Sequence, residues 1–128
     1  MSRIVVLECC TEDATSTSLL RAAGFHVVHC SGGEALLEEV VQNRPGAVIY
    51  ALQPDLRPDL GVLQLLRRAA PDVPLVLLAS EGSLDAQKRV RAFRPIYYAV
   101  SPIEPTELLD AVRAAVARPA RPGIKPGR

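Results

Sequence analysis

Three cysteines are the residues of this chain whose type most readily suggests chemistry. Cys9 and Cys10 are adjacent, and Cys30 ends a second short apolar run with His29 beside it. Thiolate and imidazole groups bind zinc or form redox pairs, but adjacent cysteines do not match the usual Cys-x-x-Cys spacing. Strand alternation would also point Cys9 and Cys10 in opposite directions. We therefore expect buried thiols that act as small apolar residues, and no metal site.

The sequence lacks the short motifs that mark several large enzyme families. Gly32-Gly33 is not followed by the Lys-Ser/Thr of a phosphate-binding loop, and no Gly-x-Ser-x-Gly or dinucleotide-binding pattern occurs. The two histidines, His26 and His29, fall on one short apolar run. An active enzyme is thus the least supported interpretation, and we expect no catalytic residue and no cofactor.

A cluster of cations marks the helix predicted over residues 83–93. Val90 and Phe93 would face the core, and the outward cations are Lys88, Arg89, Arg91 and Arg94. Such a face is either simply solvated or docks an acidic partner. Nucleic acid is disfavoured as a partner because no aromatic residues interleave with the charges.

Length and charge indicate one domain with a short tail. The chain has 128 residues and a formal net charge of +1, which favours neither nucleic acid nor a membrane surface as a partner of the whole chain. Residues 118–128 carry four cations and no acid, so the remainder sums to −3. We expect a domain over residues 1–117 and a Pro/Arg-rich tail or linker over 118–128. No signal peptide or membrane-spanning run is evident, which predicts a cytoplasmic protein.

Short apolar runs alternate with longer periodic ones along the chain. The predicted strands are 4–7, His26–Cys30, 47–50, 75–78 and 96–100. The predicted helices are one that follows Asp13 and ends at Gly24, and then Gly33–Asn43, 60–70, 83–93 and 104–117. This alternation predicts a doubly wound, flavodoxin-like α/β fold with a parallel sheet in the order 2-1-3-4-5 and five helices. Any functional site should lie at the carboxyl ends of strands 1, 3 and 4.

Several local motifs, in this order and at these spacings, resemble the response-regulator receiver domain over about residues 3–117. The matching runs are Gly33-Glu34-Ala35-Leu36 at the start of the second helix, Arg44-Pro45 before strand 3, Val73-Pro74 at strand 4, Tyr98-Ala99-Val100-Ser101-Pro102 at strand 5, and Glu107-Leu108 in the last helix. The resemblance implies a signalling module of a bacterial two-component pathway.

The family's phosphoryl chemistry needs an acidic pair after strand 1 and an aspartate nucleophile after strand 3, which together hold magnesium. A hydroxyl after strand 4 and a lysine after strand 5 bind the phosphoryl oxygens. Carried over by position, the five residues here are Glu8, Cys9, Ala51, Ala79 and Ser101. The resemblance therefore implies a pseudo-receiver with a degenerate phosphoacceptor pocket that binds no magnesium. Without the lysine, Glu8 should sit at a partly wet pocket edge or find backbone donors.

The alignment at strand 3 leaves two alternatives open. The family's spacing to a later proline, here Pro54, would place Tyr50 rather than Ala51 at the nucleophile position. Asp55 and Asp59, expected further along a loop that ends at residue 59, could in principle substitute as acceptors, although neither is expected to face Glu8 from a strand end.

Two functional hypotheses follow from the resemblance. In the first, the domain acts without phosphorylation by docking a protein partner, with homodimerisation also open, through a face that includes Lys88, Arg91, Tyr98 and Arg113. Tyr98 occupies the family's switch position and is either a simple packing residue or part of that face. In the second hypothesis, the vacated strand-end pocket binds a small molecule because its charged groups have been replaced by less polar ones.

Overall fold

The computed structural model describes residues 4–9, 14–53, 55–79, 84–100 and 103–117. The strands are β1 Val5–Cys9, β2 His26–Cys30, β3 Ala47–Ala51, β4 Leu75–Ala79 and β5 Tyr97–Val100. The helices are α1 Ala14–Ala22, α2 Gly33–Asn43, α3 Leu56–Ala69, α4 Leu84–Val90 with a 3₁₀ turn at Arg91–Phe93, and α5 Pro105–Ala117. The boundary between domain and tail lies at the edge of this range and stays a prediction.

All five strands are parallel, in the order β2-β1-β3-β4-β5. This confirms the predicted architecture of five strands and five helices. Parallel neighbours require long crossovers, and the helices between the strands supply them. β2 and β5 are the edge strands of the sheet.

Two apolar clusters cover the two faces of the sheet. One joins Leu36 of α2, Leu63 of α3 and Val90 of α4 to inward residues of the strands, and the other joins Leu20 of α1 and Leu108 of α5 to the opposite set. Side chains alternate between faces along a strand. Cys9, Tyr50 and Ala79 accordingly belong to the α2/α3/α4 face, while Val6 and Ile49 belong to the α1/α5 face.

Some element boundaries differ from the predicted ones, and two of these differences bear on the site. β1 begins at Val5 and continues through Cys9, so Glu8 lies inside the strand rather than after it. α3 begins at Leu56, four residues before the predicted start, because Asp55 caps it by accepting a hydrogen bond from the Arg57 amide at 3.2 Å. Asp59 is therefore a helical residue and does not belong to a loop.

The end of α4 also differs from the prediction. The α-helix ends at Val90, and the predicted continuation to Phe93 is a 3₁₀ turn closed by Arg94 with a φ of +54°. Pro95 follows Arg94, and the proline ring sterically disfavours the right-handed helical conformation of the residue before it. Gly24 takes the positive φ expected of it after the first helix, at +101°.

Candidate functional site

Glu8 is buried in β1, with only 1% of its surface exposed. Its Oε1 accepts a hydrogen bond from the Thr17 hydroxyl of α1, 2.7 Å away. Because Glu8 follows Val6 by two residues, its side chain lies on the α1/α5 face. The expectation of a partly wet pocket edge is wrong, since the longer β1 carries Glu8 under α1, where a side-chain hydroxyl binds it. The alternative expectation, of backbone donors to Glu8, stays a prediction.

Cys9 points to the opposite face of the sheet from Glu8. It is buried in the α2/α3/α4 cluster, and its register partners are Cys30 on β2 and Tyr50 on β3. The two residues that take the place of the family's acidic pair are therefore separated by the sheet itself. Cys10 lies outside the described residues.

The end of β3 carries a buried tyrosine with a carboxylate partner. Tyr50 donates its hydroxyl to Oδ1 of Asp59 at 2.7 Å, and the amide of Gln53 donates to Oδ2 of the same carboxylate, also at 2.7 Å. Asp59 is only 3% exposed. Both of its oxygens thus bind donors from β3 and the residues just after it. Ala51, the alternative position for the nucleophile, is partly exposed at the end of the strand.

Asp59 lies close to a strand end, which the sequence interpretation did not expect. The signals that could have indicated this are Asp55, a residue type common at helix N-caps, and Pro58 three residues later, which is tolerated in a first helical turn. Asp55 itself is exposed and forms an ion pair with Arg57 at 3.1 Å. Two hydrogen bonds lower the pKa of Asp55: the larger effect comes from the Arg57 side chain and the smaller one from the Arg57 backbone amide.

The remaining two residues predicted for the phosphoacceptor pocket are Ala79 and Ser101. Ala79 is buried at the end of β4, where it pairs with Val100 of β5 and carries no hydroxyl. Ser101, at the position of the family's lysine, lies outside the described residues, as does Pro54. No group of three or more His, Cys, Asp or Glu side chains that could hold a metal ion occurs among the described residues.

Glu8 and Asp59 are the buried acidic residues of the described chain, and they lie on opposite faces of the sheet. Glu8 contacts Thr17 of α1, whereas Asp59 contacts Tyr50, which belongs to the α2/α3/α4 cluster. Magnesium needs oxygen ligands that converge in a near-octahedral array. These two carboxylates do not converge.

Tyr98 of β5 packs inward against the α2/α3/α4 cluster. Its hydroxyl oxygen is buried and has no hydrogen-bond partner within the described part of the chain. Neighbouring Tyr97 packs on the α1/α5 face of the sheet. Its pKa is raised mainly by partial burial and secondly by a hydrogen bond with Glu107 of α5. The two tyrosines thus connect edge strand β5 to helices on both faces.

Three of the four residues predicted to form an interaction face are exposed. Lys88 lies on α4, Arg91 in the 3₁₀ turn, and Arg113 on α5. Lys88 and Arg91 are three residues apart, across the junction of α4 and its 3₁₀ turn, and Arg113 lies on the helix that covers the other face of the sheet. Tyr98, the fourth, contributes little of its surface because its hydroxyl is buried.

No helix within the described ranges is long and apolar enough to cross a membrane.

Comparisons with known proteins find similarity in both sequence and fold. No family model matches the chain. The transcriptional regulatory protein PrrA of Mycobacterium tuberculosis and of Mycobacterium bovis is 28% identical over 99 residues, which cover 77% of this chain and 42% of the relative. The chain therefore spans about two fifths of the length of the curated relatives that it matches.

Solved structures with the same fold include several response regulators. One from Thermotoga maritima has a TM-score of 0.80 at 14% identity and covers 91% of this chain and 100% of that one. A CheY-like receiver domain protein from Methanospirillum hungatei has a TM-score of 0.79 at 15% identity, with coverage of 90% and 94%. A proposed response regulator from Chloroflexus aurantiacus has a TM-score of 0.76 at 25% identity, with coverage of 91% and 100%. Together with the strand order, these structures show that the chain has the CheY-like receiver fold, and its sequence is similar to the PrrA regulators over 99 residues.

Proposed function

We propose that this domain is a non-catalytic, phosphorylation-independent receiver-like module that acts by protein–protein interaction in a two-component-type pathway. The observation that carries the proposal is that both buried carboxylates near the strand ends are already engaged. Thr17 binds Glu8 on one face, and Tyr50 with the Gln53 amide binds Asp59 on the other.

Aspartyl phosphorylation requires a carboxylate that can approach the phosphoryl group together with a metal that neutralises its charge. Neither residue at the nucleophile position, Tyr50 or Ala51, is a carboxylate. An attack by Asp59 would first break two hydrogen bonds in a buried setting, which costs about 1–3 kcal/mol for each donor left unsatisfied. Asp55 is exposed, but its carboxylate caps α3 and pairs with Arg57.

The state of Tyr98 supports a fixed signalling conformation. In the receiver family this aromatic residue moves inward when the hydroxyl after strand 4 engages the phosphoryl group, but here that position is Ala79. Tyr98 nevertheless packs inward, with its hydroxyl buried. We infer that the β5 face keeps one conformation without any phosphoryl signal.

The surface around β5 offers contacts for a partner. Leu84 of α4 is 66% exposed and precedes Lys88 by four residues, so apolar surface lies beside that cation on the same helical face, and Val100 at the end of β5 is 38% exposed. Protein interfaces commonly combine an apolar centre with a charged rim. The mixture fits a protein partner with acidic residues around an apolar contact.

Incubation with acetyl phosphate and magnesium, followed by intact-mass measurement at neutral pH, tests the chemical part of this proposal. We expect no phosphoryl adduct under conditions that label an active receiver domain in a parallel sample. A hydroxylamine-sensitive adduct that disappears in Asp59→Asn or in Asp55→Asn would identify that residue as an acceptor and refute the proposal.

Charge reversal tests the interaction part. Lys88→Glu with Arg91→Glu should abolish the regulatory output of the gene in its host, whereas Arg57→Glu at the start of α3 should leave it intact. Both variants should melt as cooperatively as the parent, because all three side chains are exposed. Equal output from both variants would exclude the α4 surface as the interface.

The small-molecule alternative stays a prediction. Cys9 and Ala79 are buried and Ala51 is partly exposed, so these three residues present little surface to a ligand. A metabolite that raises the melting temperature of the domain, and loses this effect in Ala51→Leu, would favour the alternative.

A further inference from the structure

Two of the three cysteines are direct neighbours in the sheet. Cys9 ends β1 and Cys30 ends β2, and the register of the two strands pairs one with the other. Both belong to the α2/α3/α4 cluster, so both side chains leave the same face of the sheet. Neither takes part in a disulfide.

The spacing of parallel strands permits a bond between these sulfurs. Neighbouring strands lie about 4.8 Å apart, and disulfides join residues whose Cα atoms are roughly 4.4–6.8 Å apart. Side chains at paired parallel positions leave the sheet in the same direction, so their Cβ atoms stay near the strand spacing rather than at the ~3.8 Å usual for disulfides. A bridge here would be strained and would need the two strand ends to shift toward one another, and strained disulfides are the more easily reduced ones.

We propose that Cys9 and Cys30 form a reversible, peroxide-sensitive dithiol pair. One thiol loses its proton and the thiolate attacks hydrogen peroxide, which breaks the O–O bond and yields a sulfenic acid and hydroxide; the hydroxide takes up the released proton and becomes water. The second thiol then attacks the sulfenic sulfur and releases another water. In sum, two thiols and one hydrogen peroxide give one disulfide and two waters, and a small-molecule dithiol restores the reduced pair.

The position of Cys30 explains how an oxidant reaches a buried pair. Cys9 is 0% exposed and Cys30 is 2% exposed, so oxidation needs local opening. β2 is an edge strand that pairs with β1 alone, and Cys30 is its last residue. Strand ends at a sheet edge open at a lower free energy than the core does. We therefore assign the first oxidation to Cys30 and the closing attack to Cys9.

The experiment oxidises the complete chain with hydrogen peroxide, alkylates the remaining thiols and maps the peptides by mass spectrometry. We expect the thiol count to fall from three to one, with a Cys9–Cys30 cross-link that dithiothreitol removes. The control variant Cys10→Ala should give the same cross-link. Cys9→Ala and Cys30→Ala should each lose it and accumulate a sulfenic or sulfinic acid on the remaining partner.

Other products would overturn the proposal. These are a cross-link that includes Cys10, a disulfide between two chains, or sulfinic acid without any cross-link in the unmodified sequence. The map of the unmodified sequence decides the matter even where an alanine variant folds poorly. The result is independent of phosphoryl transfer, because neither the oxidant nor the mass change is shared with the acetyl phosphate experiment.

Discussion

The guanidinium of Arg67, on the last turn of α3, donates from Nε to the carbonyl oxygen of Phe93, 26 residues further along the chain and 2.7 Å away. Its other nitrogens donate to the carbonyl of Val73 at 2.7 Å, of Pro71 at 3.2 Å and of Arg94 at 3.2 Å. Arg67 thus joins the end of α3, the start of β4 and the 3₁₀ turn after α4. Burial, and then the charge of Arg94, lower the pKa of Arg67.

Arg67→Lys should therefore destabilise the domain by about 2–3 kcal/mol, because one ammonium cannot replace a planar group that binds carbonyls from two separate segments. Urea unfolding followed by circular dichroism measures the effect. Exposed Arg68 on the same helix is the matched control, and Arg68→Lys should stay within about 0.5 kcal/mol of the parent. Equal unfolding midpoints for the two variants would mean that the carbonyl contacts of Arg67 contribute nothing to stability.

Tyr50 and Asp59 should be energetically coupled across β3 and α3. Tyr50→Phe removes the hydroxyl that binds Asp59 and should cost about 1–2 kcal/mol, since it leaves one oxygen of a buried carboxylate without that donor. Asp59→Asn should cost a similar amount. The double variant should be destabilised by about 0.5–2 kcal/mol less than the sum of the two single variants. Strict additivity in urea unfolding would show that the hydrogen bond does not form in solution.

Magnesium should not bind this domain at millimolar concentration. Glu8 and Asp59 lie on opposite faces of the sheet, so the two buried carboxylates do not meet at one ion. Titration of magnesium into the labelled protein, followed by backbone amide shifts, measures this directly, with calcium as a parallel titrant. Saturable shifts at Glu8, Cys9 and Ala51 that disappear in Glu8→Gln would contradict the prediction.

Gly33, at the start of α2, should not tolerate a methyl group. A Cβ atom there would lie 2.5 Å from Cγ2 of Val62 and 3.1 Å from its Cγ1, and the branched valine of α3 cannot easily turn away. Gly33→Ala should destabilise the domain by about 1–3 kcal/mol, and Val62→Ala in the same chain should recover part of that loss.

Gly61 provides the control for this substitution. It lies on α3, and no atom stands within 4 Å of a Cβ added there. Gly61→Ala should stabilise the domain by about 0.5–1 kcal/mol, because alanine loses less backbone entropy in a helix. Opposite signs for the two substitutions in thermal unfolding would support the close approach of α2 and α3, and equal signs would refute it.

Periodicity and turn residues in the sequence predicted the architecture correctly. The bounds of α2 follow from its apolar spacing, and its residues Leu36 and Val40 are buried. Strand order follows from the alternation of short apolar runs with helices, since parallel strands need crossovers. The residue types alone show that neither Tyr50 nor Ala51, the two candidates for the nucleophile position, carries a carboxylate. They likewise show that Ala79, at the position predicted for the hydroxyl, carries none.

Only the tertiary structure decided where the remaining acidic groups lie. The positions of Glu8 and Asp59 depend on hydrogen bonds between elements, Thr17 to Glu8 and Tyr50 to Asp59, which local periodicity does not encode. Packing determined that Glu8 and Asp59 are buried and divided between the two faces of the sheet. β1 continues two residues beyond its predicted end and carries Glu8 under α1, whereas the earlier start of α3 brings Asp59 against Tyr50 of β3.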